Sequence, residues 1–383
     1  MGGPRIAMVA GEASGDLLAA HLIAALRERL PGAAFFGIGG PKMQAEGFDA
    51  WWPAEKLAVR GYAEVLRHYR EITGIRRRLL SRLRSDRPDV FIGVDAPDFN
   101  LWLEGRLKSG GVPTIHYVGP SVWAWRRNRL AKIARSVSHL LALYPFEPEI
   151  YRQQGIPVSY VGHPLADGIP LAVDRLAARN LLDQDRSAMI FALLPGSRQS
   201  ELQYMGDLFI ETARRLHGRF PQARFLVPLV SRETRLQFEE AIWRCKAQDL
   251  PIKLLFGHAQ DALAACDGAL VASGTATLEA ALLKTPMVIA YRMSPWSWRL
   301  MKRMRYQPWV GQPNFLSGRF VVPEFLQDDA TPENLAQALG NVVQDRVAQG
   351  RIRCAFTRIH AALRQGTAER AAAAVISCLG AAP

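Results

Sequence analysis

Short, uninterrupted apolar runs alternate with longer segments of helical spacing along the first half of the chain. The helical spacing is clearest from about Leu17 to Leu30. The apolar runs predict strands at Arg5–Ala10, Ala34–Ile38, Asp89–Val94, Thr114–Val118, His139–Leu143 and Val158–Val161. Apolar strands that alternate with helices are typical of a parallel sheet covered by helices on both faces. The first half therefore predicts a doubly wound, Rossmann-like α/β domain.

The same pattern begins again after a segment rich in Pro, Gly and Asp, from Gly162 to about Asp185. Here the predicted strands are Met189–Leu194, Arg224–Val230, Ile252–Phe256, Gly268–Ala272 and Met287–Ala290. A chain of 383 residues also exceeds one ordinary core. We predict two α/β domains, residues 1–170 and 171–350, facing across a cleft. Alanine-rich helices at 351–383 can pack back on the first domain.

Two turns in the second half have the pattern of phosphate-binding sites. Leu194–Arg198 and Ser273–Glu279 each follow a predicted strand and open a predicted helix, whose free N–H groups and dipole favour an anion. Arg198 can bind diphosphate oxygens with its planar fork, and Glu279 can accept hydrogen bonds from ribose hydroxyls. The predicted nucleotide-binding residues are Ser197, Arg198, Ser273, Gly274, Thr275, Ala276 and Glu279. The structural alternative is that Gly196 and Gly274 only close tight turns.

Carboxylates occupy the corresponding strand ends of the first half. Asp98, which follows the strand Asp89–Val94, is a candidate general base for a hydroxyl, with Asp95 as the alternative. Helix capping by Asp98 or Asn100 would explain the same pattern. Ligands of open parallel sheets bind at the carboxyl ends of strands. The candidates for binding an acceptor there are Glu12, Ser14, Gly15, Asp16, Asp95 and Asn100. Capping by Ser14 or Asp16 is the structural alternative.

A further segment, Gln312–Arg319, is predicted as an apolar loop with polar Gln312 and Asn314. This loop could close over a nucleotide or a sugar. A structural turn anchored by Pro313 is the alternative.

The positive net charge of the chain adds a membrane-binding surface to these predictions. The net charge is +13, and the arginine-rich, partly helical stretch Leu57–Arg87 mixes basic and apolar residues. Similar mixtures with tryptophan occur at Trp123–Arg135 and Trp296–Tyr306 and suit an anionic lipid interface. The candidate interface residues are Leu66, Tyr69, Ile72, Ile75, Arg76 and Arg77. An ordinary amphipathic helix with a solvated basic face is the alternative.

Other features narrow the class of protein. No run approaches the roughly 18 uncharged apolar residues of a membrane-spanning helix, and Met1–Ala10 lacks a cleavage pattern. Four scattered cysteines predict a reduced, cytoplasmic protein. His116 and His163 follow strands, but no spacing of His, Asp or Glu predicts a metal site. We therefore expect no metal and no cofactor. Walker A, G-x-S-x-G and redox cysteine motifs are also lacking.

Together these motifs resemble those of the lipid-A-disaccharide synthases, a family of GT-B-type glycosyltransferases. The resemblance covers nearly the whole chain from about residue 6. It is carried by Gly11–Asp16, Asp95–Asn100, Pro120–Trp125, Leu194–Arg198, Ser273–Glu279 and Pro313–Gly318. One departure is Gly119, where we expect a serine.

The resemblance implies an inverting, metal-independent transfer on the inner face of the inner membrane. The donor would be UDP-2,3-diacylglucosamine, the acceptor 2,3-diacylglucosamine 1-phosphate, and the products the β-1,6-linked lipid A disaccharide 1-phosphate and UDP. Asp98 matches the family's proposed catalytic aspartate. Arg198 and Asn314 match positions implicated in UDP-sugar binding, and Glu279 matches the ribose-binding glutamate of GT-B enzymes.

Three other functions remain as alternatives. A UDP-GlcNAc 2-epimerase or a peptidoglycan glycosyltransferase would use the same architecture on a substrate without acyl chains. A basic module that binds nucleic acid or lipid would leave the paired phosphate turns unexplained, and we expect no nucleic-acid partner.

Exchange of apolar C-terminal helices between subunits would give a homodimer.

Overall fold

The computed structural model describes residues 3–53, 62–120, 122, 129–304 and 307–380. Within those ranges, the side chains of residues 62–70, 296, 300, 303 and 304 lie outside the description. The chain divides into two compact units. The first unit is Met1–Asp167 with Leu363–Pro383, and the second unit is Gly168–Ala362.

The strands of the described residues are numbered in chain order. They are β1 Arg5–Ala10, β2 Ala34–Gly39, β3 Asp49–Pro53, β4 Val90–Val94, β5 Thr114–Tyr117, β6 His139–Ala142, β7 Val158–Tyr160, β8 Ile190–Leu194, β9 Arg224–Leu229, β10 Ile252–Phe256, β11 Gly268–Ala272, β12 Met287–Tyr291 and β13 Glu324–Leu326.

The α-helices of the described residues are numbered in the same way. They are α1 Ala13–Arg29, α2 Pro41–Ala45, α3 Tyr62–Asp86, α4 Pro97–Lys108, α5 Leu130–Ser136, α6 Glu147–Arg152, α7 Pro164–Gly168, α8 Arg175–Leu181, α9 Gln199–Arg219, α10 Arg232–Arg244, α11 Ala259–Ala265, α12 Thr275–Leu282, α13 Pro295–Met304, α14 Gln312–Ser317, α15 Pro332–Gln344, α16 Arg346–Leu363 and α17 Thr367–Gly380.

The first unit contains a parallel sheet of seven strands in the order β3-β2-β1-β4-β5-β6-β7. Alternate residues of β1 point to opposite faces of this sheet, as the pleat requires. Ile6 and Met8 belong to the apolar core that includes α1 and α17. Ala7 and Val9 belong to the core that includes α3 and α4. Because both faces are covered, β1 is uniformly apolar, which explains its run in the sequence.

The second unit contains a parallel sheet of six strands in the order β10-β9-β8-β11-β12-β13. The central strand β8 is buried along its whole length, whereas the edge strand β10 exposes Lys253 and Phe256. The predicted fold of two doubly wound α/β domains is therefore confirmed. The edge strands β3 and β13 are additional to the prediction, since β3 is a short strand that ends at Pro53 and β13 has three residues.

The segment Gln312–Arg319 differs from the predicted loop because Gln312–Ser317 forms the helix α14. Pro313 stands in the first turn of this helix, where its fixed φ favours helical backbone and its missing N–H costs nothing. Gly318 ends the helix in the left-handed conformation with φ 61°. A proline at the start and a glycine at the end thus explain the helix.

The end of the chain returns to the first unit. Ala371, Ala372 and Val375 of α17 are fully buried in the core that α1 and β1 share. This return of the last helix was predicted and is confirmed. The preceding helix α16 belongs to the second unit as far as Ala362, so the predicted C-terminal segment 351–383 begins inside it.

Candidate active site

Each sheet has one point where the direction of strand addition reverses. In the first unit this switch lies between β1 and β4, and in the second unit between β8 and β11. The helices that follow such a pair diverge to opposite faces of the sheet and leave a crevice at the strand ends. The predicted acceptor turns follow β1 and β4, and the predicted phosphate turns follow β8 and β11. Topology therefore brings the predicted residues of each unit together at its switch point.

The turn after β1 combines surface and structural residues. Glu12 is half-buried and Ser14 is exposed at the start of α1, while Gly15 is buried against the sheet. Asp16 is also buried, and its carboxylate accepts hydrogen bonds from the N–H groups of Gly40, Lys42 and Met43. Asp16 therefore caps α2 rather than its own helix. Direct contact with an acceptor remains a prediction for Glu12 and Ser14.

The turn after β4 is strained and braced. Asp95 and Ala96 both have left-handed backbone conformations, with φ 53° and 43°. Two consecutive non-glycine residues of this kind persist only where the surrounding structure holds them. Asn100 supplies this support, because its fully buried amide donates to the Asp95 carbonyl over 2.8 Å. Predicted to contact the acceptor, Asn100 instead has its side chain inside the protein, where it fixes the turn.

The two aspartates of this turn have different surroundings. The Asp98 side chain is 81% exposed, and its Oδ1 accepts a 2.8 Å hydrogen bond from the Arg129 guanidinium. Asp95 is more buried, and burial raises the pKa of its carboxyl, while the charge on His116 lowers it. Asp98 is thus the carboxylate that an incoming hydroxyl can reach most directly, whereas Asp95 forms the inner wall of the turn.

A buried ion pair near this turn was missing from the sequence prediction. Glu104 Oε1 lies 2.7 Å from His116 Nδ1, and both side chains are fully buried. Glu104 shares the inward face of α4 with Asn100, Leu103 and Leu107. A charged residue in this apolar helical stripe was the available signal. The sequence did not reveal its partner, because α4 folds back over the sheet.

Gly119, where the family resemblance leads us to expect a serine, has a local explanation in the first unit. A Cβ at Gly119 would come within 2.6 Å of the Tyr151 hydroxyl. That hydroxyl donates to the carbonyl of Pro120. A side chain at position 119 would therefore displace Tyr151. Residues 121 and 123–128 of the neighbouring motif lie outside the described residues.

The turn after β8 surrounds an internal carboxylate, that of Glu201. Ser197 and Arg198 are exposed, and their N–H groups donate to Glu201 Oε2 over 2.8 and 3.3 Å. The Arg198 guanidinium also donates to Glu201 Oε1 over 3.0 Å. Gly196 has φ 130°, and a Cβ there would lie 2.6 Å from Glu201 Cβ. The loop therefore already gathers a cation and two N–H groups around one anionic group.

The turn after β11 presents the start of a helix. Gly274, the N-cap of α12, has φ 150° and offers no side-chain cap to the first-turn N–H groups. Gly274 and Thr275 are exposed, and Ala276 is half-buried. The Ser273 hydroxyl donates to the Val310 carbonyl over 3.1 Å and ties this turn to the segment before α14. An anion can approach the first turn of α12 from solvent.

Glu279 lies one turn further along α12. Burial raises the pKa of its carboxyl, and a 3.4 Å hydrogen bond from Gln260 opposes that shift. A partly desolvated carboxylate gains from an additional donor such as a ribose hydroxyl. Its position within the turn is therefore suited to the predicted contact.

Asn314 lies inside the second unit rather than at its surface. Its amide donates to Val322 O and Glu324 Oε1, and its carbonyl accepts from the N–H groups of Val321 and Val322. The side chain has no exposed surface. In this structure Asn314 holds the segment after α14 in place, so its effect on donor binding would be exerted through that segment.

The residues of α3 that were predicted to contact a membrane differ in how far they are buried. Ile75 is buried in the apolar core and is unavailable to a lipid surface, which corrects that prediction. Ile72 packs partly against the same core, and Arg76 lies 4.3 Å from the Trp102 ring centre. Arg77 is exposed. The side chains of Leu66 and Tyr69 lie outside the described residues.

The described residues contain no group of three or more His, Cys, Asp and Glu side chains that could hold a metal ion. None of the helices within the described ranges is both long and apolar enough to span a bilayer.

Comparison with known proteins identifies the family. The profile of the family described as lipid-A-disaccharide synthetase matches residues 6–376. The chain belongs to this family. A lipid-A-disaccharide synthase from Azoarcus sp. (strain BH72) is 61% identical over 376 residues, which are 98% of this chain and 96% of that protein. One from Dechloromonas aromatica (strain RCB) is 63% identical over 98% of each chain. As a member of the lipid-A-disaccharide synthase family, the chain is a glycosyltransferase of lipid A biosynthesis.

Solved structures support the fold. A glycotransferase of kitacinnamycin aligns with a TM-score of 0.63 at 16% identity, over 98% of this chain and 99% of that one. A UDP-GlcNAc 2-epimerase from Neisseria meningitidis, bound to UDP-GlcNAc, aligns with a TM-score of 0.62 at 11% identity over the same shares. Identities this low show the fold alone, which is the GT-B type. They therefore do not favour an epimerase over a lipid-A-disaccharide synthase.

Proposed function

We propose that the chain transfers a diacylglucosaminyl group from UDP-2,3-diacylglucosamine to 2,3-diacylglucosamine 1-phosphate. The products are the β-1,6-linked lipid A disaccharide 1-phosphate and UDP. Family membership supports a UDP-sugar donor and a sugar-phosphate acceptor. The observation that carries the proposal is the division of charge between the switch points. Accessible carboxylates lie in the first unit, and N–H groups with Arg198 lie in the second.

Asp98 acts as the general base in this proposal. It removes the proton from the acceptor 6-hydroxyl as the oxygen forms a bond to C1 of the donor sugar. The bond between C1 and the diphosphate oxygen breaks, its electron pair leaves with UDP, and the anomeric configuration inverts. Asp98 is suited to this role because it is exposed and already oriented by Arg129. A positioned base of this kind contributes about 10²- to 10⁴-fold in rate.

The second unit stabilises the leaving diphosphate. Arg198 and the N–H groups of Ser197 and Arg198 neutralise its developing charge, together with the first turn of α12. Binding requires the Glu201 carboxylate to release these donors, because it now accepts from all of them. Glu279 accepts hydrogen bonds from the ribose. No metal ion is needed for charge neutralisation in this scheme.

Both proposed substrates carry acyl chains, so the enzyme must work at a membrane surface. We propose peripheral attachment to the cytoplasmic face of the inner membrane through α3. Exposed arginines of this helix, such as Arg77 and Arg82, are suited to anionic lipid. A homodimer formed by exchange of C-terminal helices is a further part of the proposal that gel filtration can test.

The deciding experiment supplies both lipid substrates in mixed micelles with EDTA and detects product by mass spectrometry. We expect a tetraacyl disaccharide 1-phosphate together with UDP. UDP-GlcNAc without acyl chains is the matched control and should give neither transfer nor epimerisation. Absence of disaccharide with the acylated pair, while UDP still binds, would reject the proposed reaction and retain the nucleotide site.

A further inference from the structure

The buried pair Glu104–His116 occupies space that is available because Gly93 has no side chain. His116 on β5 lies beside Gly93 on β4 in the register of the sheet. A Cβ at Gly93 would come within 2.2 Å of Glu104 Oε1. The missing side chain at Gly93 therefore gives the carboxylate its place above the strand. The ion pair is built into the sheet and α4 rather than added at a surface.

Stability alone does not account for this pair. Removing two charges from water costs several kcal/mol per ion, and well-packed apolar residues are often as stabilising. Within the described part of the chain, Glu104 Oε2 and His116 Nε2 have no hydrogen-bond partner. Buried polar atoms without a partner are uncommon and reduce what a pair contributes to stability. The pair is thus a candidate for a role in the chemistry of the neighbouring turn.

Asp95 is the group through which the pair can act. Asp95 follows Gly93 by two residues, and its N–H donates over 2.8 Å to the carbonyl of Tyr117, the residue after His116. Burial raises the pKa of Asp95, and the His116 charge lowers it. Burial lowers the pKa of His116, but Glu104 and then Asp95 oppose this, and the net shift is upward. The three groups are therefore coupled.

Two further charged groups act on the same cluster. Glu12, which precedes α1, raises the pKa of Asp95. Burial raises the pKa of Glu104. The charges of His116 and of Lys132 on α5 oppose this and lower the pKa. Neither group replaces His116 as the positive charge that acts on Asp95, because Glu12 is acidic and Lys132 acts on Glu104. Loss of that charge should therefore raise the pKa of the Asp95 carboxyl.

We propose that Glu104 and His116 are positioning residues for Asp95. Glu104 keeps His116 protonated, and the imidazolium keeps the Asp95 carboxylate ionised within a desolvated turn. The inference rests on the proposed transfer reaction with Asp98 as base, and it adds that ionised Asp95 holds the acceptor beside that base. Asn100 fixes the Asp95 backbone, and the ion pair fixes its charge.

The first test measures protonation directly and does not depend on turnover. The imidazole nitrogens of His116 are titrated by NMR in the wild type and in Glu104→Gln. The carboxyl carbon of Asp95 is titrated in the same two proteins and in His116→Asn. We expect a doubly protonated His116 at pH 7 in the wild type and a neutral ring in Glu104→Gln. The Asp95 titration should move upward by about one pH unit in both variants.

The second test measures the pH dependence of kcat/KM for disaccharide formation. Both variants should shift the acidic limb upward by about one pH unit, while the rate at high pH recovers to within a few-fold. The double variant should show the same shift as either single variant, because Glu104 acts through His116. His139→Asn is the matched control: His139 is half-buried on β6 and contacts Ser159, so the limb should stay in place.

The outcomes separate the two proposals. An unchanged Asp95 titration in both variants, or a neutral His116 in the wild type at pH 7, overturns the positioning role. A rate that falls equally at all pH values without a shift of the limb also overturns it, since this marks a structural role. If the wild type makes no disaccharide, the proposed reaction fails, and the NMR titrations still decide the ion pair. Glu104→Gln keeps the test available should His116→Asn fail to fold.

Discussion

The two switch points share one topology but present opposite chemistry. Each holds an arginine–carboxylate pair at a strand-to-helix turn: Asp98 with Arg129 in the first unit, and Glu201 with Arg198 in the second. In the first pair the carboxylate is the more exposed partner, at 81% against 21%. In the second pair the arginine is the more exposed, at 61% against 14%. The exposed partner indicates which charge each unit offers to a ligand.

The turns of the two units also differ in which residues adopt a positive φ. The first unit holds non-glycine residues, Asp95 and Ala96, in the left-handed region, and the second unit uses Gly196 and Gly274 at positive φ. In the proposed reaction the first turn supplies a carboxylate side chain, whereas the second supplies main-chain N–H groups. In that proposal the fold sets where a ligand binds, and the residues at each turn set whether a base or an anion site results.

The largest effect should come from removing the exposed carboxylate of the first pair. We expect Asp98→Ala to lower the rate of disaccharide formation by about 10²- to 10⁴-fold, because the acceptor hydroxyl loses its base. Its affinity for UDP, measured by calorimetry, should stay close to that of the wild type. Arg129→Ala, which removes only the partner, is the matched control and should lower the rate much less. A near-normal rate in Asp98→Ala would instead point to Asp95 as the base.

A smaller effect, on binding, should come from the exposed arginine of the second pair. We expect Arg198→Ala to weaken UDP binding by about 10- to 100-fold, since a charge-assisted hydrogen bond contributes about 1.5–3 kcal/mol. Calorimetric titration with UDP measures this loss. Arg235→Ala on α10 removes another exposed arginine and should leave the affinity unchanged. Unaltered UDP affinity in Arg198→Ala would remove the diphosphate from this loop.

Sequence alone predicted the two sheets because the strands of a covered parallel sheet are apolar without interruption. It placed the candidate turns at strand ends, but could not distinguish exposed from buried members. Three of the predicted residues are buried and form hydrogen bonds with backbone groups of another turn or segment. They are Asp16 with Gly40, Asn100 with Asp95, and Asn314 with Val322. Such pairings arise from tertiary structure and leave no fixed spacing. The partners Glu104 and His116 were hidden for the same reason.

The smallest expected effect concerns binding to lipid, which we propose for α3 of the first unit and not for the second unit. If α3 attaches the enzyme to the membrane, replacing Arg77 with alanine should lower partitioning onto anionic vesicles by about fivefold, since one arginine contributes about 1 kcal/mol at such a surface. Sedimentation with phosphatidylglycerol-containing liposomes at low salt measures this change. Arg235→Ala, an equally simple loss of one exposed charge in the second unit, is the matched control. Equal losses from both variants would show that net charge, rather than α3, attracts the enzyme to lipid. Ile75→Ser should instead lower the thermal midpoint, because Ile75 is buried and its replacement opens the core.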